Sequence, residues 1–337
     1  MQPAMALSLL RGRVTAVLER VEGLVRLEVD GASTVAYPAL TGPVALGDDV
    51  VVNVQAVELA LGTGGFHVLH ANLTRGLGLA PEPGTHVMKL PYTSLQAAFR
   101  HAEEDGEVAA SLDGMPVVCC SLHSQVAPAC AALAGLQVAY VQIPGGALPV
   151  PLSDTVRVLK ARGLVVAVVA AGACFGGDVD CVNIWSALAW TKAQGFDVAV
   201  CGIGPGVVGT ASPLGHGGMA AADAATAVIG LGGVAVVALR LSEADSRERH
   251  RGVSHHTLDI LGLNGPSGIR IGWPEGLDLG MDPLVESAEV VDVSGWREAC
   301  AGLPLSHMGR GPDDDPAFFA AAFAAGRLAR DLLRPTP

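Results

Sequence analysis

Two hydrophobic rhythms divide the chain. From about residue 11 to 72, apolar and polar residues alternate in short stretches: "RGRVTAVLERV", "GLVRLEVD", "STVAYPAL", "DDVVVNVQAVEL" and "GGFHVLHANL". Turn residues such as Asp30-Gly31 and "LGDD" separate them. A period of two marks strands with one buried face. The pattern predicts a small β-barrel-like domain, SH3-like or OB-like, over residues 1–75.

From about Gly114 the strands become apolar throughout and alternate with helical stretches. "GMPVVCCS", "LQVAYVQI", "LVVAVVAAG", "DVAVCGI" and "VAVVALRL" read as strands. Between and after them lie the helical segments "QVAPACAALAG", "SDTVRVLKARG" (N-cap Ser153 or Asp154), "CVNIWSALAWTKAQG", "GGMAAADAATAVIGLGG" and "SHHTLDILG". Fully apolar strands interleaved with helices predict a parallel sheet covered on both faces. The expected fold is therefore α/β: a parallel-sheet three-layer, Rossmann-like domain over residues 114–337, preceded by the small N-terminal barrel. Residues 76–113 form the connecting segment, with a helix "LQAAFRHAEE" capped by Thr93 or Ser94. Near the C-terminus "AEVVDVS" suggests one more strand, "HMGRGPDDD" a loop, and "DPAFFAAAFAAGRLARDLLR" a long helix with its basic residues near the end that the macrodipole favours.

Composition then removes whole classes of function. The net charge is −12, and acids dilute the one basic cluster, "RERHRG". Nucleic-acid binding rests on phosphate contacts, so it is not expected here. The apolar runs are too short to span a bilayer, and the N-terminal stretch lacks the basic region of a signal peptide. Seven cysteines without a C-x-x-C spacing lie mostly in apolar runs, as buried reduced thiols do. Together these features predict a soluble cytoplasmic protein.

Ligands of open parallel sheets bind beyond the carboxyl ends of the strands, and the polar residues of this domain gather in the segments that follow its strands. After the first strand come Ser121, His123 and Ser124; after the third, "CFGGDVD" with Asp178. "GPGVVGT" follows the fourth, then Ser212 and His216, and residues 242–257 follow the fifth. Gly204, Gly206 and Gly209 satisfy the letters of a dinucleotide fingerprint, but no helix opens at once, and the acids beyond the next strand, Glu243 and Asp245, lie well over thirty residues on. The loop with Thr210 is either an anion or carbonyl pocket or a glycine-rich crossover packed on a neighbour. Ser121 lacks the flanking glycines of a nucleophile elbow, and Ser124 is placed as a helix N-cap. His123 is a candidate acid or base, with Asp178 to orient it. Ser254 reads as the N-cap of a helix whose first turn carries His255 and His256, where the helix dipole favours neutral imidazoles. Arg249 and Arg251 either clamp an anion or sit in a solvated loop. The motifs name no cofactor and no firm metal set; His250, one of His255 and His256, and Asp178 are one possible combination.

"HVMKLPYTSLQ", "SLHSQ", "FGGDVDCVN", "GPGVVGTASPLG" and "HRGVSHHT" together resemble the bacterial family DUF3866, over nearly the whole chain. The resemblance implies one fixed architecture and carries no activity. Function is therefore expected from the residues: binding of a small anionic metabolite, with hydrolysis or group transfer. In that reading His123, Asp178 and His255 are catalytic, and Ser121, Gly204, Gly206, Gly209, Thr210 and Arg251 bind the ligand. The alternative is a non-catalytic metabolite sensor or scaffold acting through oligomerisation; a homodimer is the default expectation.

Overall fold

A computed structural model of the chain describes residues 7–60, 65–210, 212–264, 268–277 and 288–334. They divide into two compact units, Met1–Arg100 and His101–Pro337. Residues 1–6 of the N-terminal stretch fall outside the described part.

The first unit contains a closed five-stranded barrel, as the alternation predicts: β1 (Leu9–Val21), β2 (Leu24–Val29), β3 (Ala32–Ala36), β4 (Asp49–Asn53) and β5 (His67–Asn72), in the order β1-β2-β3-β5-β4. Register shifts between Val14 and Ala16 and between Val17 and Glu19 interrupt the pairing of the long β1 with β2. The other end of β1 pairs with β4. Inward residues such as Val14, Leu27, Val50, Val52 and Leu69 fill the interior.

The expected helix at "LQAAFRHAEE" does not form. Instead β6 (Val87–Lys89) and β7 (Ala97–Phe99) make an antiparallel hairpin. Its turn is closed by side chains: Gln96 Oε1 accepts from the Tyr92 amide, and Thr93 Oγ1 donates to the Leu90 carbonyl. Thr93 thus serves the turn rather than a helix start.

The second unit is a seven-stranded, all-parallel sheet. Its strands are β8 (Pro116–Cys120), β9 (Val138–Ile143), β10 (Ala167–Ala171), β11 (Val179–Cys181), β12 (Val198–Ile203), β13 (Val234–Val237) and β16 (Ile269–Arg270). They lie in the order β11-β10-β9-β12-β8-β13-β16. Alternate residues feed opposite faces: Val117, Cys119, Val141, Val169 and Cys201 point to one core, Val118, Cys120, Tyr140, Val168 and Val200 to the other. The first core is closed by helices Ile184–Ala193, Ala220–Gly230 and His255–Asn264, the second by Val126–Ala132, Asp154–Ala161 and Pro316–Asp331. That division makes the three layers. The last helix is buried along most of its length, and a Cβ at Gly326 would collide with the Ala129 carbonyl, so glycine sets this close helix approach.

Two strands of the parallel sheet escape the sequence pattern. β11 is a three-residue edge strand inside what reads as a loop, and Asn183, not Cys181, starts the following helix by accepting from the Ser186 amide. β16 has only two residues. The "AEVVDVS" segment does form a strand, β18 (Glu289–Val291), but it pairs with β17 (Gly272–Pro274) outside the main sheet. A further short pair, β14 (Leu241–Ser242) and β15 (Gly252–Val253), follows β13. All seven cysteines are buried, and none forms a disulfide. Among the described residues no helix is long and apolar enough to cross a membrane.

Candidate functional site

The connection leaving β8 runs to β9, whereas the one leaving β12 crosses to β13 on the other side. Loops diverge there at the carboxyl edge, which is where open α/β sheets hold ligands. The glycine-rich loop after β12 lies in this place, and its backbone is already engaged. The Ala147 amide donates to the Pro205 carbonyl over 2.9 Å, and the Val208 amide to the Gly145 carbonyl over 3.2 Å. A Cβ on Gly204 would collide with the Ala147 carbonyl, and one on Gly217 with that of Gly145. What approaches the backbone so closely is therefore the neighbouring loop, Gly145–Ala147. Gly206 supplies the positive φ of the turn, and the Thr210 hydroxyl stays local, within hydrogen-bond reach of Ser212 Oγ and the Gly215 carbonyl. An antiparallel bridge between Gly209 and His216 then carries His216 to the edge of the sheet.

His216 joins three other histidines there. Its ring stacks on His256 at 3.6 Å and meets His255 edge-on at 5.7 Å, and His250 lies 4.9 Å from His255 and 5.0 Å from His256. Helix periodicity adds an acid: Asp259 is one turn beyond His255, and its Oδ2 lies 3.2 Å from His255 Nδ1 and 3.4 Å from His216 Nε2. One ring nitrogen from each of His216, His255 and His256 falls within 4.8 Å of the others. His216 Nδ1 is buried and has no hydrogen-bond partner among the described residues. Ser254 anchors the group as the sequence suggests: its hydroxyl takes the His256 amide and pairs with His250 Nδ1 at 2.7 Å.

Behind the histidines is a buried charge network. Arg240, which follows β13, is only 3% exposed, and its backbone amide donates to Thr257 Oγ1. Its Nη1 donates to His256 Nδ1 over 2.9 Å, while its buried Nε has no partner among the described residues. Asp245 collects Arg247 through two bonds of about 3 Å, Arg310 at 3.2 Å and Arg240 at 3.7 Å. Asp315 takes Ser242 at 2.6 Å and Arg310 at 3.2 Å. Burial pushes the Asp245 carboxyl up, but the Arg247 hydrogen bonds and the neighbouring positive charges outweigh it and hold it well below the usual carboxylate range. Burial, then the Arg240 charge, drives His256 down to about 2 and His250 and His307 to about 3. These imidazoles are neutral at physiological pH. Burial likewise lowers His216 against the opposing pull of Asp259.

The residues singled out from sequence fall in different places. His255, His256 and His250 come together. His123 lies at the edge but is fully bonded: Nδ1 donates to the Ile203 carbonyl at 3.0 Å and Nε2 pairs with Ser153 Oγ at 2.7 Å, with burial lowering its pKa to about 4. Ser121 is buried and donates to Gln125. Asp178 is not near the histidines. The chain doubles back after β10, so Asp178 meets Val168 near the start of that strand, where it also pairs with Lys160. Arg251 is exposed, with one 3.5 Å contact to the Asp245 carbonyl. Ser124 makes no cap; its hydroxyl faces His307 Nδ1 at 3.2 Å.

Sequence reasoning passed over Asp259, Arg240, Asp245, His307, Arg310 and Asp315. The i,i+4 spacing of His255 and Asp259 was a usable signal. The "HMGRGPDDD" stretch read as a simple loop, yet it supplies His307, Arg310 and Asp315 to the buried network. Nothing local announces that. Three-layer parallel α/β proteins with a polar cluster beyond the carboxyl ends of their strands are the class that this fold and site define. Residues 33–326 match the family described as "Protein of unknown function (DUF3866)", and the chain belongs to that family. No curated protein matches the sequence.

Proposed function

We propose that this protein is an enzyme that binds a small anionic metabolite at the carboxyl edge of its sheet and hydrolyses it or transfers a group from it. The observation that carries this reading is the cluster of His216, His250, His255 and His256 packed beside the Arg240 guanidinium, with Asp259 against His216 and His255. The Arg240, Arg247 and Arg310 charges exceed those of Asp245 and Asp315, so the network is locally positive within an acidic protein. An anion gains from that surplus, and fixed donors in a dry site stabilise developing negative charge without reorganising. His256, whose Nδ1 is taken by Arg240, keeps its proton on Nε2 and acts as a donor. His255, backed by Asp259, is placed to activate water or a substrate hydroxyl.

A panel of small phosphate and carboxylate esters and their free acids tests the reading, by thermal shift and by turnover. A ligand at a hundredfold its dissociation constant adds about 2.7 kcal/mol of stability. His255→Gln and Asp259→Asn should keep their unliganded melting temperatures, and His255→Gln should lower turnover about 100- to 10,000-fold. Binding without turnover, with a change in association state, would replace the enzyme with a sensor. No binding of any anion would defeat both.

A further inference from the structure

Asp259 Oδ2 lies 3.2 Å from His255 Nδ1 and 3.4 Å from His216 Nε2. Charge-assisted N–H···O bonds settle at about 2.7 to 2.9 Å, so these two contacts are loose as hydrogen bonds. They match two edges of another geometry, and one ring nitrogen each of His216 and His255 lies within 4.8 Å of the other. Four ligands held about 2.0 to 2.1 Å from a tetrahedral ion stand about 3.3 Å apart along each edge. The three atoms come from two elements that the fold brings together, one helix turn carrying His255 and Asp259, and the glycine-rich connection that delivers His216 through its bridge to Gly209.

We propose that His216 Nε2, His255 Nδ1 and Asp259 Oδ2 bind one divalent transition-metal ion, leaving a further position open for water or for the anionic ligand. Two imidazoles and one carboxylate form a donor set suited to zinc, cobalt or iron(II), and too rich in nitrogen for magnesium or calcium. His256 is not a ligand. Arg240 occupies its Nδ1, the proton sits on Nε2, and a protonated nitrogen has no lone pair to give. Its place beside His216 makes it a hydrogen-bond donor to whatever fills the open position. Asp259 contributes Oδ2, and its charge offsets part of the ion's. This proposal rests on the same anion-binding site and deepens that reading by giving the activation of water to the ion, with His255 as its ligand in place of a free base.

The test uses the full-length protein stripped with chelator and dialysed. Titration with Zn2+ by calorimetry should give one site per chain, and Co2+ should give visible d–d bands of tetrahedral intensity. His255→Gln, His216→Gln and Asp259→Asn should each weaken Zn2+ binding by at least about 100-fold, more than losing an outer-shell partner costs. His70→Gln, in the barrel, should leave it unchanged. Circular dichroism melts establish that the variants fold. Absence of Zn2+ and Co2+ binding in the wild type, or binding that the three variants do not weaken, overturns the proposal. Anion binding measured in the continued presence of chelator separates the two readings: retained there, it leaves the anion site standing when the metal site fails.

Discussion

The Arg240 guanidinium donates from Nη1 to Nδ1 of His256 across 2.9 Å, and both side chains are buried. A guanidinium has only donors, so the imidazole nitrogen it meets must carry a lone pair. The contact therefore sets the tautomer of His256, leaves its proton on Nε2 and keeps the ring uncharged. Burial lowers the Arg240 pKa to about 10, still far above physiological pH, so the guanidinium keeps its charge.

Asp245 is the counter-charge on which three guanidiniums depend. Asp245→Asn leaves them without it in a buried setting, where breaking an ion pair costs about 3 to 5 kcal/mol. Urea unfolding of the variant should show a loss of that size. Arg11→Ala removes an exposed, solvent-screened pair with Asp49 on the barrel and should leave the urea midpoint nearly unchanged.

His123 should make stability depend on pH. Its folded pKa is about 4, against an ordinary value of 6.5, because burial outweighs its bond to the Ile203 carbonyl. Between those values the unfolded chain binds a proton that the folded chain does not. The contribution is thus complete above pH 6.5 and is lost as pH falls towards 4. The stability difference between wild type and His123→Gln, followed by urea unfolding, should shrink across that window and stay level above pH 7.

Gly217→Ala and Gly262→Ala separate glycines that a close approach requires from one that nothing requires. A Cβ at Gly217 would drive into the Gly145 carbonyl, so the two loops must part and His216 must shift. Calorimetric melting should show a large loss of stability. Gly262 lies in the His255–Asn264 helix with no atom near a built Cβ, so alanine there should add about 0.5 to 1 kcal/mol.

The fold was legible wherever an element carried its own period. Val117 to Cys120 and Val198 to Ile203 are apolar on both faces and read at once as central strands. Val179–Cys181 and Ile269–Arg270 are too short to show a period, and only pairing with a longer neighbour makes them strands. Ala97–Phe99 resembles a helix locally until the Gln96 and Thr93 side chains close a turn. The site divided along the same line. His250, His255 and His256 are near one another in sequence and drew attention together. Asp178 misled because its loop runs back along β10, which no rule about strand ends anticipates. Arg310 and Asp315 reach the network from more than fifty residues beyond His255, through tertiary packing alone.

The central claim is that neutral histidines beside Arg240 form an anion site at the carboxyl edge of the sheet. Long-range 1H–15N spectra of the histidine rings, recorded in chelator and then with added orthophosphate or acetate, test it most directly. The account predicts His256 as the Nε2–H tautomer at neutral pH, with His255 and His256 signals moving on anion addition while those of His67 and His70 in the barrel stay in place. A His256 proton on Nδ1, or shifts confined to other histidines, would contradict it.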